Sequence, residues 1–240
     1  MLDIIEEAAF RDRSYVFSDR VAAGRLLARK LADLTLGKAV VFAIPAGGVP
    51  VAAQVAGALR LPLDLVIVRK IQIPWSSEAG FGALTPDGKV ILNEPLVQRL
   101  GLSKNEITSQ IAKTRTTLEQ REALFRSNRP YGDLQGLEAI VVDDGLASGF
   151  TMLAALRFLK KCGSDKIIVA VPTGLLDTIQ LIRREVEMVV CLNVRQRRPF
   201  AVAAAYRNWY DVTDSEVLTI LQKFQSLSSK AKDGDSAPPG

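Results

Sequence analysis

Histidine is absent from the 240 residues of this chain, and cysteine occurs only twice. Without histidine, neither a Ser-His nor a Cys-His nucleophilic pair can form. Two cysteines on their own also argue against a structural zinc site. A reaction at this chain must instead depend on electrostatics, on backbone donors and on a hard cation held by oxygen.

Long hydrophobic runs are lacking too, and the N-terminus is acidic where an export signal would be basic. We therefore predict a cytoplasmic protein without a membrane partner, in which Cys162 and Cys191 are buried free thiols. The net charge of +5 allows two interpretations, a highly negative substrate or RNA. A negative substrate is favoured over nucleic acid, because the sequence has no glycine-rich, aromatic-studded RNA motif.

The most informative stretch is residues 139–152. Its apolar, β-branched start predicts a buried parallel strand, and Asp143 and Asp144 follow at the carboxyl end of that strand. A loop of small residues then leads into a helix predicted from Thr151 to about Lys161. Such a turn presents free backbone N–H groups at the positive end of a helix dipole, so it can hold a phosphate. Because the adjacent acids suit sugar hydroxyls or a cation, the stretch predicts a ribose 5-phosphate ligand.

The string V-V-D-D-G-x-x-S-G-x-T resembles the phosphoribosyl-pyrophosphate (PRPP) motif of the type I phosphoribosyltransferases. The resemblance implies that Asp143 and Asp144 are catalytic residues that hold the ribose hydroxyls, with Mg²⁺ bound through PRPP close to them. It also implies a loop for the 5-phosphate that consists of Gly145, Ala147, Ser148, Gly149, Phe150 and Thr151.

A second glycine turn follows a core strand predicted over residues 39–45 and precedes a helix predicted over residues 51–60. Many such turns merely connect two elements. By its place after the first strand, this one resembles the pyrophosphate loop of the family, in which a strained or cis peptide can occur. The resemblance implies that Ala46, Gly47 and Gly48 contact the diphosphate.

Arg69 and Lys70 end another strand, predicted over residues 63–68. Ligands of open parallel sheets bind at the carboxyl edge, where this charge pair would lie. Because the family has a basic residue at this point, the resemblance implies catalytic and pyrophosphate-binding roles for Arg69 and Lys70.

Residues 71–93 occupy the position of the family's flexible lid, with a hairpin turn predicted at residues 85–88. One alternative is that Trp75 and Glu78 close over the ligand. The other is a static β excursion in which Trp75 packs against the body of the protein.

A capping box, Ser103 with Glu106, predicts the start of a long polar helix that runs to about Arg126. Its apolar stripe is thin, and Leu124 is one of its members. The helix is predicted to cover the lid, to make a homodimer contact or to form a coiled arm, and the arm is the simplest of the three.

An amphipathic helix is predicted over residues 19–34, and its basic side chains are interpreted as an ordinary solvated face; they are Arg20, Arg25, Arg29 and Lys30. Near the other end of the chain, Tyr206 and Trp209 belong to an aromatic cluster. Many family members recognise an acceptor base with a small hood, so both aromatic residues are candidates for the lid or the acceptor site, with core packing as the alternative.

The alternation of strands and helices predicts an α/β fold with a parallel, doubly covered β-sheet of the type I phosphoribosyltransferase-like, Rossmann type. We predict one domain over residues 1–225, with an insertion at about 71–128 that holds the lid and the long helix. The hood comes from terminal segments, about 1–17 and 193–215. Residues 226–240 are predicted to be a disordered tail.

The resemblance implies Mg²⁺-dependent transfer of the 5-phosphoribosyl group from PRPP to a nitrogen acceptor, with release of pyrophosphate, as in nucleotide metabolism. A PRPP-sensing regulator without turnover is the main alternative. A small phosphatase or another nucleotide-binding protein is a weaker one. The sequence leaves the acceptor open.

Overall fold

The computed structural model describes residues 4–76 and 79–234. In chain order, the strands are β1 (Ile4–Ile5), β2 (Ala39–Ala43), β3 (Leu63–Leu65), β4 (Arg69–Gln72), β5 (Gly80–Leu84), β6 (Val90–Leu92), β7 (Glu138–Val142), β8 (Lys166–Leu175) and β9 (Met188–Arg195). The α-helices are α1 (Arg20–Ala32), α2 (Gly48–Leu59), α3 (Glu94–Leu100), α4 (Lys104–Arg126), α5 (Phe150–Lys161), α6 (Leu176–Arg183) and α7 (Asp214–Gly234).

The main sheet has six parallel strands in the order β1-β9-β8-β7-β2-β3. Helices cover both of its faces. Along β7, Ile140 and Val142 join the core that contains residues of α1 and α2. Ala139 and Val141 point to the opposite face and join the core that contains residues of α5 and α6. This alternation of side chains confirms the predicted parallel, doubly covered sheet.

Two strand ends differ from the predicted ones, because hydrogen-bond partners rather than apolar runs decide where a strand stops. The strand predicted over residues 63–68 ends at Leu65, since the N–H of Ile67 donates to the hydroxyl of Tyr131 at 3.0 Å. The strand predicted over residues 39–45 ends at Ala43, and the carbonyl of the next residue, Ile44, accepts the N–H of Gly48 at 3.1 Å.

The insertion forms a separate three-stranded antiparallel sheet in the order β4-β5-β6. Its hairpin turn is confirmed, with the N–H of Thr85 donating to the carbonyl of Lys89 at 2.9 Å. The capping box of α4 is confirmed as well, and Ser103 is its N-cap. The coiled arm is wrong, because α4 packs against β4 and β5. Phe125 is buried, whereas Leu124, predicted in the apolar stripe, is 44% exposed.

The two terminal segments predicted to form the hood lie side by side. Phe17 and Tyr206 form a parallel bridge, and the side-chain amide of Asn193 donates to the carbonyl of Arg13 at 3.0 Å. The predicted disordered tail is wrong over residues 226–234, where α7 continues to Gly234. Leucine, lysine and alanine in this stretch are good helix formers and extend the helix. Residues 1–3 and 235–240 lie outside the described residues.

Both cysteines are free thiols, as predicted, and Cys191 is buried whereas Cys162 is half-buried. In the described ranges no helix has the length and apolar character that crossing a membrane requires.

Arg126 fastens the end of α4 to the main sheet. It is 2% exposed, forms an ion pair with Asp64 and donates to the carbonyl of Leu65 at 2.9 Å. Its guanidinium carbon also lies 3.7 Å from the centre of the Tyr131 ring. A buried cation of this kind depends on all of its partners, since a charge that loses one is left desolvated.

We predict that Arg126→Met lowers the free energy of unfolding by about 3 kcal/mol, because it leaves Asp64 without its buried partner. Urea unfolding measures this loss. Arg129→Met is the matched control, since Arg129 is 64% exposed and 3.7 Å from the same carboxylate. The control should change stability by less than about 1 kcal/mol. Equal losses in the two variants would contradict the anchoring role.

Candidate active site

The two adjacent acids lie directly after β7, at the carboxyl edge of the main sheet. Asp143 Oδ1 accepts the N–H of Asp144 at 2.8 Å. The carbonyl of Asp144 accepts the hydroxyl of Tyr206 at 2.7 Å. Both acids are half-buried, and the Asp144 side chain is 15% exposed. The structure therefore holds the pair rigidly at the edge where parallel sheets bind ligands.

Burial raises the pKa of both carboxyl groups. For Asp143 the pKa lies well above its ordinary value, first because of burial and then because of the negative charge on Asp144. For Asp144, burial is again the largest cause of the raised pKa, and the positive charge of Arg20 opposes it. Ionising both groups together is costly unless positive charge lies beside them.

Arg20 supplies such a charge. The prediction of a solvated face is wrong for Arg20, which is 5% exposed and contacts Asp144 Oδ2 through both Nε and Nη2, each at 2.9 Å. Its Nη1 donates to the carbonyl of Tyr210 at 2.8 Å. Arg25 and Arg29 are exposed, as predicted. Arg20 is therefore part of the site.

The helical period offered a signal for Arg20. The buried face of α1 consists of Ala23, Gly24, Leu27, Ala28 and Leu31. Arg20 precedes Ala23, Gly24 and Leu27 by three, four and seven positions, which puts it on the same face of the helix. A basic residue at the start of an apolar stripe is thus a candidate for a buried partner of an acid.

The predicted phosphate loop is anchored at its base and open at its tip. Leu146 is buried and its N–H donates to the carbonyl of Thr173 at 2.9 Å, whereas Ala147 and Ser148 are exposed. Gly149 caps α5 with φ of +79°, a conformation that favours glycine.

The start of α5 leaves backbone donors available. In the described part of the chain, the N–H groups of Ser148, Gly149, Phe150 and Thr151 donate to no protein oxygen. The remaining predicted member, Gly145, packs against Val202 and Thr173. An anion at the loop would meet free donors and the positive end of the helix dipole, so phosphate binding here stays a chemically sound prediction.

The predicted pyrophosphate loop, which includes Ala46, lies against the acids, because β2 and β7 are neighbours in the sheet. The peptide bond between Pro45 and Ala46 is cis. A Cβ atom on Gly47 would overlap Asp144 Oδ2 and lie 2.6 Å from Asp144 Cγ. A Cβ atom on Gly48 would lie 2.7 Å from the carbonyl oxygen of Val142. Only glycine fits at these two positions, and the structure brings this loop and the acid pair together.

Arg69 and Lys70 lie elsewhere than predicted, because the chain leaves the main sheet after Leu65. They begin β4, and Arg69 pairs with Leu84 in the insertion. Burial lowers the pKa of Arg69, and the charge of Arg121 lowers it further. Within the described residues, no hydrogen bond or ion pair joins Arg69 to either acid of the site. The stem of Lys70 packs over Gly80. Their pyrophosphate-binding roles remain predictions.

The four residues predicted for the lid or the acceptor site have different environments. Trp75 is 63% exposed, so the alternative in which it packs against the body is wrong. Glu78 lies outside the described residues. Tyr206 is 1% exposed and its hydroxyl donates to the carbonyl of Asp144, so its ring cannot serve as a stacking surface. Trp209 is 38% exposed, and its ring centre lies 3.9 Å from the guanidinium carbon of Arg20. Trp209 remains a candidate.

Among the described residues, no group of three or more acidic or cysteine side chains could hold a metal ion. The site instead offers the two carboxylates of Asp143 and Asp144. Mg²⁺ is commonly bound by one or two carboxylates together with water and substrate phosphates, so these acids fit a cation that arrives with its substrate.

Comparison with known proteins identifies relatives. The family model described as "Phosphoribosyl transferase domain" matches residues 86–204. A protein of Mycobacterium tuberculosis H37Rv named "Putative phosphoribosyl transferase Rv0571c" is 38% identical over 226 residues. The match covers 93% of this chain and 51% of that protein, so the chain spans about half the length of the curated relatives it matches. The crystal structure of TT1426 from Thermus thermophilus is 35% identical. The chain covers 98% of TT1426, which covers 87% of this chain, with a TM-score of 0.70.

We predict that Gly47→Ala destabilises the protein by about 1–3 kcal/mol, because the added methyl group must displace the carboxylate of Asp144 from Arg20. Thermal unfolding measures this loss. Gly57→Ala, on the neighbouring helix α2, is the control, since nothing lies within 4 Å of a Cβ atom at that position. The control should be neutral or stabilised by about 0.5–1 kcal/mol. A neutral Gly47→Ala would disprove the close approach.

The raised pKa of Asp143 makes stability depend on pH. The folded state keeps a proton on Asp143 at pH values where the unfolded state, with a pKa of about 3.9, has lost it. The contribution of Asp143 to stability is therefore highest below that value and falls as pH rises through the folded pKa. We predict that Asp143→Asn removes part of this fall and raises the unfolding temperature at pH 7.

The asparagine keeps the Oδ1 that accepts the N–H of Asp144, so the turn itself is preserved. Asp133→Asn is the control, since Asp133 is exposed and its Oδ1 accepts the N–H of Gln135 at 3.0 Å. Unfolding temperatures between about pH 4 and pH 8 give the comparison. If both variants follow the wild-type curve, burial of Asp143 does not control this pH dependence.

Proposed function

Because this chain belongs to the phosphoribosyltransferase family, we propose that its site transfers the 5-phosphoribosyl group of PRPP to a nitrogen acceptor and releases pyrophosphate. One observation carries the proposal. The half-buried acid pair lies beside two glycine turns, which follow the neighbouring strands β2 and β7 and each lead into a helix. This arrangement suits a sugar with a phosphate group at each end.

Each part of the site has one task in the proposed reaction. The open N–H groups at the start of α5 hold the 5-phosphate, and Asp143 and Asp144 accept hydrogen bonds from the ribose hydroxyls. Ala46, Gly47 and Gly48 line the diphosphate, which leaves with its bonding electron pair when C1 is attacked. A nitrogen lone pair on the acceptor forms the new bond, so no protein nucleophile is required.

The departing pyrophosphate and the two acids at the ribose, Asp143 and Asp144, need positive charge nearby. We include Mg²⁺, bound mainly by PRPP oxygens and water with Asp143 and Asp144 beside it, as the group that would neutralise the diphosphate. Arg69 and Lys70 are proposed to reach the diphosphate from β4 when the insertion closes. The exposure of Trp75 supports a lid role for this segment, since an unpacked ring is available to cover a ligand.

The acceptor is proposed to enter beneath the hood, where Trp209 offers a partly exposed ring. A ring of this kind suits a planar nitrogen compound, because aromatic faces stack with small entropy cost. The proposal names the reaction class alone and leaves open which nitrogen compound is the acceptor.

The test is a pyrophosphate-release assay of PRPP and Mg²⁺ with a panel of purines, pyrimidines and primary amines. We predict that at least one acceptor gives acceptor-dependent release, because an acid pair, an open helix start and a glycine turn lie together at one edge of the sheet. Tight PRPP binding with no release from any acceptor would contradict turnover and favour a PRPP-sensing regulator.

The Asp143→Asn, Asp144→Asn double variant is the negative control for this assay. This variant should no longer release pyrophosphate. In calorimetry, its binding free energy for PRPP should be weaker by roughly 1.5–3 kcal/mol for each charged hydrogen bond removed. Binding of wild-type strength by the double variant would exclude both acids from the site.

A further inference from the structure

Arg20 connects three parts of the fold at the proposed site. Nε donates to Asp144 Oδ2 at 2.9 Å, Nη2 forms an ion-pair contact with the same oxygen at 2.9 Å, and Nη1 donates to the carbonyl of Tyr210 at 2.8 Å. The guanidinium also stacks on Trp209, with its carbon 3.9 Å from the ring centre. The side chain cannot turn without losing several of these contacts at once, so its position is fixed from three directions.

The same contacts orient Asp144. Its main chain is held by Asp143 Oδ1 at the N–H and by the hydroxyl of Tyr206 at the carbonyl. The side chain of Asp144 lies beside that of Asp143 and is held by Arg20, whose Nε donates to Oδ2 and whose Nη2 contacts the same oxygen. These contacts hold Oδ2 and so define the direction of the whole carboxylate.

We propose that Arg20 is a positioning residue of the ribose subsite: it holds the Asp144 carboxylate against the pyrophosphate loop so that this carboxylate meets the ribose hydroxyls already oriented. The inference rests on the proposed function. Arg20 is 5% exposed and its guanidinium is occupied by Asp144, Tyr210 and Trp209, so we expect its effect on PRPP binding to pass through Asp144.

Preorganisation is the physical basis of this role. When a carboxylate becomes ordered only on binding, the loss of its rotamer entropy weakens binding. A carboxylate that is already restrained does not have this cost. Arginine suits the position better than lysine, because its planar fork reaches Oδ2 with two nitrogens while its face stacks on Trp209. A lysine supplies the charge but neither the fork nor the stacking.

The position of Arg20 also connects PRPP to the hood. Tyr210 and Trp209 belong to the hood segment, and the guanidinium binds them and Asp144 at the same time. If an acceptor displaced Trp209, Arg20 would lose a contact and the position of Asp144 would change with it. Arg20, the first residue of helix α1, thus joins the two proposed subsites.

A double-mutant cycle with calorimetric titration of PRPP and Mg²⁺ tests the proposal. We expect Arg20→Gln to raise the Kd for PRPP about tenfold or more in the wild-type background. In the Asp144→Asn background the same change should alter the Kd by less than about twofold, since the group through which Arg20 acts is gone. Arg20→Lys should give an intermediate Kd.

Arg25→Gln is the matched control, because Arg25 lies on the exposed face of the same helix and its side chain donates to Gln54 at 3.4 Å, away from the acids. It should keep the wild-type Kd. If Arg20→Gln does not fold, Arg20→Lys takes its place in the cycle, and the unfolding midpoint of every variant is measured alongside.

Three results would overturn the inference. Equal losses in both backgrounds would show that Arg20 has a general structural role. An unchanged Kd would show that Asp144 needs no positioning, and tighter binding would show that the ion pair competes with the sugar. If the wild-type protein itself does not bind PRPP, the proposed function fails. If the wild-type protein binds PRPP and one of the three results above is found, the inference fails while the proposed function stands.

Discussion

The negative charges of two neighbouring carboxylates at the end of a buried strand have to be balanced by positive charge and hydrogen bonds. The residues around the acids supply both. Asp143 and Asp144 cannot both ionise cheaply in a half-buried position. Arg20 provides a counter-charge, Tyr206 and the backbone provide hydrogen bonds, and Gly47 provides the space for the Asp144 carboxylate. Helix α1, the hood and the glycine turn that contains Gly47 all meet at this point.

The same compensation explains why the site is built from distant parts of the chain. Arg20 and Asp144 are 124 positions apart, and Arg20 and Tyr210 are 190 apart. A parallel sheet brings the carboxyl ends of its strands to one edge, and segments from both ends of the chain can then close over that edge. The ends are joined there by the bridge between Phe17 and Tyr206. An acid pair and its positive partner can thus be accurately placed although no short motif contains them both.

The insertion has a buried base and an exposed tip. Its base is fixed by Arg126, whose buried guanidinium binds the edge strand of the main sheet, and by the buried Phe125. Its tip carries Trp75, which is largely exposed. The fixed base keeps the insertion against the main sheet, while the exposed ring of Trp75 has a face available for contact with a further molecule.

The amino-acid sequence was sufficient to predict the parallel sheet, the strand and loop around the acids, the second glycine turn and the capped helix α4. These features depend on signals within short windows of the chain, namely apolar runs, glycine in turns and a capping box. Three other features became visible in the folded chain: Arg20 is buried against Asp144, Tyr206 supports Asp144 and is not a stacking surface, and Arg69 and Lys70 begin a separate sheet. Each of these depends on contacts between residues far apart in the chain, and a one-dimensional pattern shows a basic or aromatic residue without showing which partner will remove it from water.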